Sequence, residues 1–290
     1  EGVRYTCEFS RGRGDPARLA RSAALMGCSA IVAIGGDGTF FEVVNGVMET
    51  GGLASGGSSG GSSGHGSRHV ALGLLQAGRG SDFGRSAGVP TDVEAACRRI
   101  LEGRTQLTDL GHVTYTALRG GEERARFFAN AAGLGFDGEV TVRANSVPRV
   151  MGGGTVPYLT SLLATLSTYR NKRVSVRVDQ DDAWHARVNS VIVANGQFFG
   201  GGMKIAPEAS LSDGMFDVVV LGDLGKLDLV RNVPRVYVGS HVTHPKVRVL
   251  RCREVRVDSP DRMLLQADGE VLGKAPAAFR VVPGALRLIV

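Results

Sequence analysis

Residues 31–46, IVAIGGDGTFFEVVNG, run from a solid apolar stretch into a glycine cluster holding one carboxylate and one hydroxyl, and then into an amphipathic segment. Ile31 to Ile34 read as a buried strand. The glycines remove side chains where backbone must approach a partner closely, so the chain can turn sharply and present bare N–H groups before the next helix. Beyond the turn, Phe40, Val43, Val44, Val47 and Met48 recur at helical spacing, a stripe to bury against a sheet. Strand, glycine turn and helix in this order suit a phosphate group. Taken alone they are equally an ordinary packing turn.

Working outward, helix and strand alternate from Asp15 to about Gly103. Residues 15–26 read as a helix, 31–34 as a strand, 40–49 as a helix and 70–75 (VALGLL) as a second buried strand. A helix from about Val93 to Leu101 follows, capped by Thr91 or Asp92 and stopped at Gly103. This pattern predicts a parallel α/β domain over residues 1–106. Residues 51–67, GGLASGGSSGGSSGHGS, are glycine and serine of low complexity and read as a flexible insert. From about Leu107 the period shortens. Val174, Val176 and Val178 alternate, then Trp184, Ala186 and Val188 across the turn QDD, then 190–194, 216–221, 247–257 and 279–282. These predict a β-rich domain over 107–290. It is interrupted by helices at about 158–169 and 226–238, the second containing Pro234, which should kink or split it. The closing LRLIV is able to complete either domain.

With 290 residues and 43% hydrophobic content, each half has material for its own core. No apolar run approaches the length of a membrane span, and the first residues, EGVRYTCEFSRGRGD, have neither a signal-peptide core nor a start methionine, so the chain reads as trimmed. Cys7, Cys28, Cys97 and Cys252 lie far apart without a CxxC pair, which argues against a zinc site or disulfide framework and for a reducing, intracellular compartment. His241 and His244 lack further ligands nearby and read as structural or surface residues. The net charge of +6 suits nucleotide phosphates or an anionic membrane surface. Nucleic acid is not expected, because no aromatic residues interleave with the basic ones and no binding motif appears.

A second glycine turn follows the strand at 70–75: QAGRGSDFGRSAGVP, with Gly78, Gly80, Ser81 and Asp82. Two such turns after neighbouring parallel strands would meet at the carboxyl edge of the sheet, where doubly wound folds bind ligands. Further on, residues 196–217 read GQFFGGGMKIAPEASLSDGMFD. Gly200 to Gly202 admit close backbone approach, and Asp213 with nearby carbonyls suits a hard cation such as Mg²⁺, or is simply the turn of a hairpin. In LLQADGE, Asp268 and Glu270 flank Gly269 beyond an apolar strand. They would hold a metal or accept a proton from a hydroxyl, or form a plain turn.

The series GGDGTFFEVVNG, GRGSDFGRSAG, NAAGLGFDGEV, FFGGGMKIAPEASLSDGMFDVVVL and LLQADGEVLG resembles, in order and spacing, the diacylglycerol kinase catalytic domain family, which includes sphingosine kinases and bacterial lipid kinases. FFGGGMKIAPEAS and the ending DGEVLGKAPAAFRVVPGAL look most like plant-type sphingoid long-chain-base kinases. The resemblance implies α/β plus β: an N-terminal Rossmann-like, phosphofructokinase-like domain and a C-terminal antiparallel β-sandwich. It also implies ATP and Mg²⁺ as cofactors and a lipid substrate at a membrane surface, on the cytosolic side or on an organelle, with a homodimer compatible.

By position, the resemblance assigns Gly35, Gly36, Asp37, Gly38 and Thr39 to the nucleotide phosphates. Gly78, Arg79, Gly80, Ser81 and Asp82 match the second ATP loop, and Ser10 stands where a threonine near the nucleotide is common. Asp213, with the carbonyls of Ser210 and Met215, matches a structural magnesium site. Asp268 and Glu270 match the terminal pair implicated in metal handling and proton abstraction, with Asp37 the rival base. Glu139 stands near the place of an aspartate that binds a substrate amine. Two departures are plain: Arg79 replaces a small residue, and the family's opening strand with its Asn-Pro-Gly loop is absent from this chain. The expected reaction is transfer of the ATP γ-phosphoryl group to a primary hydroxyl of a lipid, most readily a sphingoid base, or diacylglycerol. The rivals are an NAD kinase-like enzyme, whose asparagine-glutamate motif is missing here, and a non-catalytic lipid- or nucleotide-binding homologue.

Overall fold

The computed structural model describes residues 3–51, 70–78, 80–146 and 155–290, so Arg79 and nearly all of the glycine-serine insert lie outside the described residues. The first half contains α1 (Asp15–Leu25), β1 (Ala30–Gly35), α2 (Asp37–Met48), β2 (Ala71–Gln76), α3 (Asp82–Ser86) and α4 (Val93–Glu102). β1 and β2 pair in parallel, in register from Ala30 opposite Ala71 to Gly35 opposite Gln76. α4 starts on Asp92, whose carboxylate accepts the Ala95 N–H at 2.8 Å, and stops at left-handed Gly103. α2 starts at Asp37, three residues before the spacing of its apolar stripe predicts. Extended Gly36 serves as its cap, so Asp37 and Thr39 occupy the first helical turn, where the helix dipole favours a carboxylate.

The second half follows as β3 (Thr105–Ala117), β4 (Glu123–Phe128), β5 (Ala131–Gly135), α5 (Phe136–Ser146), α6 (Thr155–Thr168), β6 (Lys172–Val178), β7 (Trp184–Val188) and β8 (Ser190–Ala194). A small hairpin of β9 (Phe198–Phe199) and β10 (Met203–Lys204) encloses Gly200 to Gly202. Then come β11 (Phe216–Leu221), α7 (Lys226–Val238), β12 (Val247–Cys252), β13 (Glu254–Asp258), β14 (Leu264–Ala267) and β15 (Glu270–Ile289). The β-strand pairing in this half is antiparallel.

The structure refines the sequence reading at three places. The expected single strand at 247–257 is two, because Asp179 accepts the N–H groups of Arg253 and Glu254 at 2.9 and 2.8 Å, and the chain changes partners there from β11 to β15 and β6. α7 passes through Pro234 as one helix rather than splitting. α5 follows directly on β5, whose sequence AAGLG is buried throughout yet rich in residues of low strand propensity.

The 20-residue β15 joins the two halves. It pairs with β14, β13 and β3, and its end lies parallel to β2, Arg287 opposite Ala71 and Leu288 opposite Leu72. Leu286 and Leu288 pack accordingly into the first core with Phe40, Val44, Leu72 and Phe83, while Phe279 at its centre packs with Phe128, Val218 and Leu265 in the second. The strand fixes the mouth between the halves, because a core on each side holds it.

Candidate active site

The parallel register of β1 and β2 ends both strands at one level and sets the two glycine turns side by side. A Cβ on Gly78 would collide with the Cα of Gly36, and one on Gly36 would stand 3.1 Å from the Cα of Gly78. Glycine at position 78 is what lets the turns touch, and the fit at Gly36 is tight. Asp37 locks them together: its Oδ2 accepts the Asp82 N–H and its Oδ1 the Phe83 N–H, both at 3.1 Å, so one carboxylate sits in the first turn of α2 and at the start of α3. Phe40 of α2 stacks on Phe83 of α3, centroids 4.5 Å apart, behind this contact.

Asp82 carries the connection across to the second half. It is buried, and its two oxygens accept the N–H groups of Gly201 and Gly202, both at 2.7 Å. Burial, with Asp37 close by, raises its pKa to about 6 against the pull of these donors. Ser86 and Asn130 form a second link, Ser86 Oγ donating to Asn130 Oδ1 at 3.0 Å while Asn130 Nδ2 donates to the Phe198 carbonyl at 2.6 Å.

Asp268 occupies the turn between β14 and β15 in a left-handed conformation, φ 46°. Its carboxylate accepts three backbone N–H groups, from Ala129 at 2.7 Å and from Asn130 and Ala131 at 3.0 Å. Those donors favour the anion, but burial and the nearby Asp37 outweigh them and lift the pKa to about 7. Ser81, between Gly80 and Asp82, shares the left-handed conformation at φ 50°. Glu270 pairs with Arg13 at 3.0 Å and faces the first glycine turn, its Oε1 being the nearest atom to a Cβ on Gly38.

Together these elements line a pocket of about 300 Å³ between the halves. Gly36, Asp37, Gly38, Gly80 and Asp82 form one wall; Asn130, Asn145, Gln266, Asp268 and Glu270 form much of the other. The opening of α2, whose first N–H groups have no partner within the helix, borders this space. Gly35 and Thr39 lie just behind, the Thr39 hydroxyl against the Gly35 backbone. A larger cavity, lined by Arg173, His185, Asp258 and Pro276 among others, shares no residue with the pocket and holds no glycine turn.

Several expected residues fall elsewhere. Ser10 sits in an exposed segment outside any helix or strand and does not line the pocket. Glu139 is not on the lining either; α5 contributes Thr141, Ala144 and Asn145 instead, and the Glu139 charge acts on Tyr169. Asp213 and the carbonyl-bearing Ser210 and Met215, expected to hold a metal, lie in the segment before β11, off the pocket lining. Asp213 Oδ1 accepts the Met215 N–H at 3.0 Å, its Oδ2 is ion-paired with Arg251, and Ser210 Oγ accepts the Ser212 N–H at 3.5 Å. The register of β11 and β12 puts Arg251 opposite Asp217, whose Oδ1 is 3.3 Å from the Arg251 Nε. The half-exposed Arg251 thus pairs with both Asp213 and Asp217. Asp217 is only 3% exposed, so Arg251→Met leaves a buried acid without its cation. Allowing for the half-exposed arginine, the expected loss of stability is about 2 kcal/mol, read from urea denaturation.

Sequence reasoning passed over Asn130, Gln266 and Asp137. Gln266 Nε2 donates to the buried Asp137 at 3.2 Å, and its Oε1 accepts the Gly269 N–H at 3.1 Å, holding the Asp268 turn from behind. Burial raises the Asp137 pKa to about 6. The usable signal was polarity out of place: an amide or acid beside apolar strand residues in FFANAAGLGFDG and LLQADG.

The diacylglycerol kinase catalytic domain matches residues 1–113, and the YegS C-terminal NAD kinase beta sandwich-like domain matches residues 130–290. A diacylglycerol kinase of Mycobacterium tuberculosis (strain CDC 1551 / Oshkosh) is 28% identical over 276 residues, 95% of this chain and 81% of the relative. One of Bacillus subtilis (strain 168) is 28% identical over 267 residues, 92% and 79% of the two chains. The crystal structure of a diacylglycerol kinase from Bacillus anthracis str. Sterne superposes with a TM-score of 0.67 at 19% identity, covering 97% of this chain and 82% of that one, a likeness of fold.

Proposed function

Because the chain belongs to the family that joins a diacylglycerol kinase catalytic domain to a YegS-type C-terminal domain, and is therefore a lipid kinase, we propose that it transfers the γ-phosphoryl group of ATP to the primary hydroxyl of diacylglycerol. The observation that carries this reading is the meeting of two glycine turns and Asp268 in one pocket between the halves. Phosphoryl transfer asks little covalent chemistry of a protein; it asks for positioning, charge neutralisation and a proton acceptor. The N–H groups at the start of α2 hold phosphate oxygens, while Asp37 and Asp82 keep the two turns and the Gly201–Gly202 segment in register around them. Asp268, with a pKa near 7, takes the proton from the attacking hydroxyl.

The carboxylate oxygens facing the pocket suit a hard divalent cation, and Glu270 and Asp37 are the groups that would hold Mg²⁺. When bound, Mg²⁺ supplies positive charge to the transferring phosphates. The names of the M. tuberculosis and B. subtilis relatives favour diacylglycerol over the sphingoid base that the motifs resemble. So does the position of Glu139, the acid assigned to a substrate amine, off the pocket lining. The test is transfer of label from γ-labelled Mg-ATP to diacylglycerol, sphingoid base or ceramide in mixed micelles. Label in diacylglycerol supports the proposal; label in sphingoid base alone, or in no lipid while ATP binds, overturns it.

A further inference from the structure

α7 wears its amphipathic pattern inside out. None of its 13 residues is buried. The partly covered side is formed by Asp228, Leu229, Asn232, Val233 and Val236, whereas Leu227, Val230, Pro234, Tyr237 and Val238 are exposed, Leu227 by 59% and Val238 by 73%. At the helical angle per residue these five fall within one sector of about 100°. Lys226 borders that sector on one side, Arg231 and Arg235 on the other, and Asp228, the helix's single acid, lies on the covered side. The outward face is therefore an apolar strip edged by cations.

α7 packs on β10 and on the residues around it, with Gly239 against Pro207 and Lys204. β10 directly follows Gly201 and Gly202, whose N–H groups Asp82 holds at the pocket. At its other end Lys226 Nζ donates to the Ser167 carbonyl at 2.5 Å, tying α7 to the last turn of α6. The strip is thus carried by the same segment that closes one side of the pocket.

We propose that the outward face of α7 seats the protein on an anionic lipid bilayer, with its apolar strip in the headgroup boundary and Lys226, Arg231 and Arg235 against acidic headgroups. Charge selects this occupant. A second copy of the chain, packed strip to strip, would bring the same cations together, whereas an anionic surface neutralises them. The purpose of the contact rests on the lipid-kinase reading, since it brings the pocket to an acceptor that lives in a bilayer; the contact itself does not.

The test is flotation of the full chain with phosphatidylcholine vesicles made with or without phosphatidylglycerol. The wild-type protein binds the phosphatidylglycerol vesicles and releases them at high salt. Leu227→Asp with Val238→Asp weakens binding at least tenfold, roughly the loss of two buried apolar side chains. Arg231→Gln weakens it by about fivefold, the effect of one cation near the surface. All these positions are exposed, so both variants keep the wild-type melting temperature and its phosphorylation of short-chain diacylglycerol dispersed as monomers. Unchanged vesicle binding in the apolar variant overturns the proposal, as does a strip that proves to hold two copies together by sedimentation while vesicles are ignored. Loss of vesicle binding in a protein that phosphorylates no lipid upholds the α7 contact and sinks the assigned reaction.

Discussion

Asp268→Asn is expected to lower kcat for phosphoryl transfer by roughly 10²–10⁴-fold, the contribution of a positioned general base. The wild-type carboxylate accepts three backbone N–H groups and still titrates near pH 7, so it is held in place yet able to take a proton at working pH. The wild-type rate should rise as pH climbs through about 7, because only the ionised carboxylate accepts a proton, and that limb should vanish in the variant. Stability runs the other way. Folding raises this carboxyl above its unfolded value of 3.8, so between about pH 4 and 7 the native state binds more protons than the unfolded one, and stability falls as pH rises through that window. Asn mimics the neutral acid, so the variant loses this slope as well as the activity. A variant that keeps the rate limb near pH 7 assigns the base elsewhere. Asp37, which like Asp268 accepts backbone N–H groups on both oxygens, is then the next candidate.

Gly78→Ala tests the pocket wall. The new Cβ meets the backbone of Gly36, which cannot rotate aside as a side chain would, so the two turns must separate. The expected cost is about 2 kcal/mol of stability, as for an overpacked core. Separation also breaks the contact of Asp37 with α3 and displaces the first turn of α2. The KM for ATP should rise by more than about tenfold, because misplacement of order 1 Å is enough to do this. A control at Gly225, where φ is negative and an added Cβ makes only an ordinary contact, should leave the KM alone. An unchanged KM in Gly78→Ala would remove the turn from the nucleotide site.

The parts of this molecule governed by local pattern were legible in its sequence. The stripe from Phe40 to Met48, the Asp92 cap and the Gly103 stop each announce themselves within one helix. The antiparallel pair β6 with β7 follows from alternation of apolar residues on either side of the turn QDD. What pairing over long distances decides was not legible. β5 is a strand because β8 and β14 flank it, not because Ala131 to Gly135 favour extension. The site divides in the same way. The two glycine turns and the Asp268 turn could be read from residue type and order, but the cross-links through Asn130 and Gln266 depend on which strands become neighbours. Arg251 lies 38 residues from Asp213, and only the register of β11 with β12 brings the two together.

The central claim is that nucleotide phosphates lie on the paired glycine turns, and amide hydrogen exchange with and without Mg-ATP tests it most directly. The account predicts slowed exchange at residues 36–40 and 80–84, with a smaller effect at Gly201 and Gly202, whose N–H groups Asp82 already holds. Protection confined to the cavity around Arg173 and His185, with the glycine turns unchanged, would contradict it.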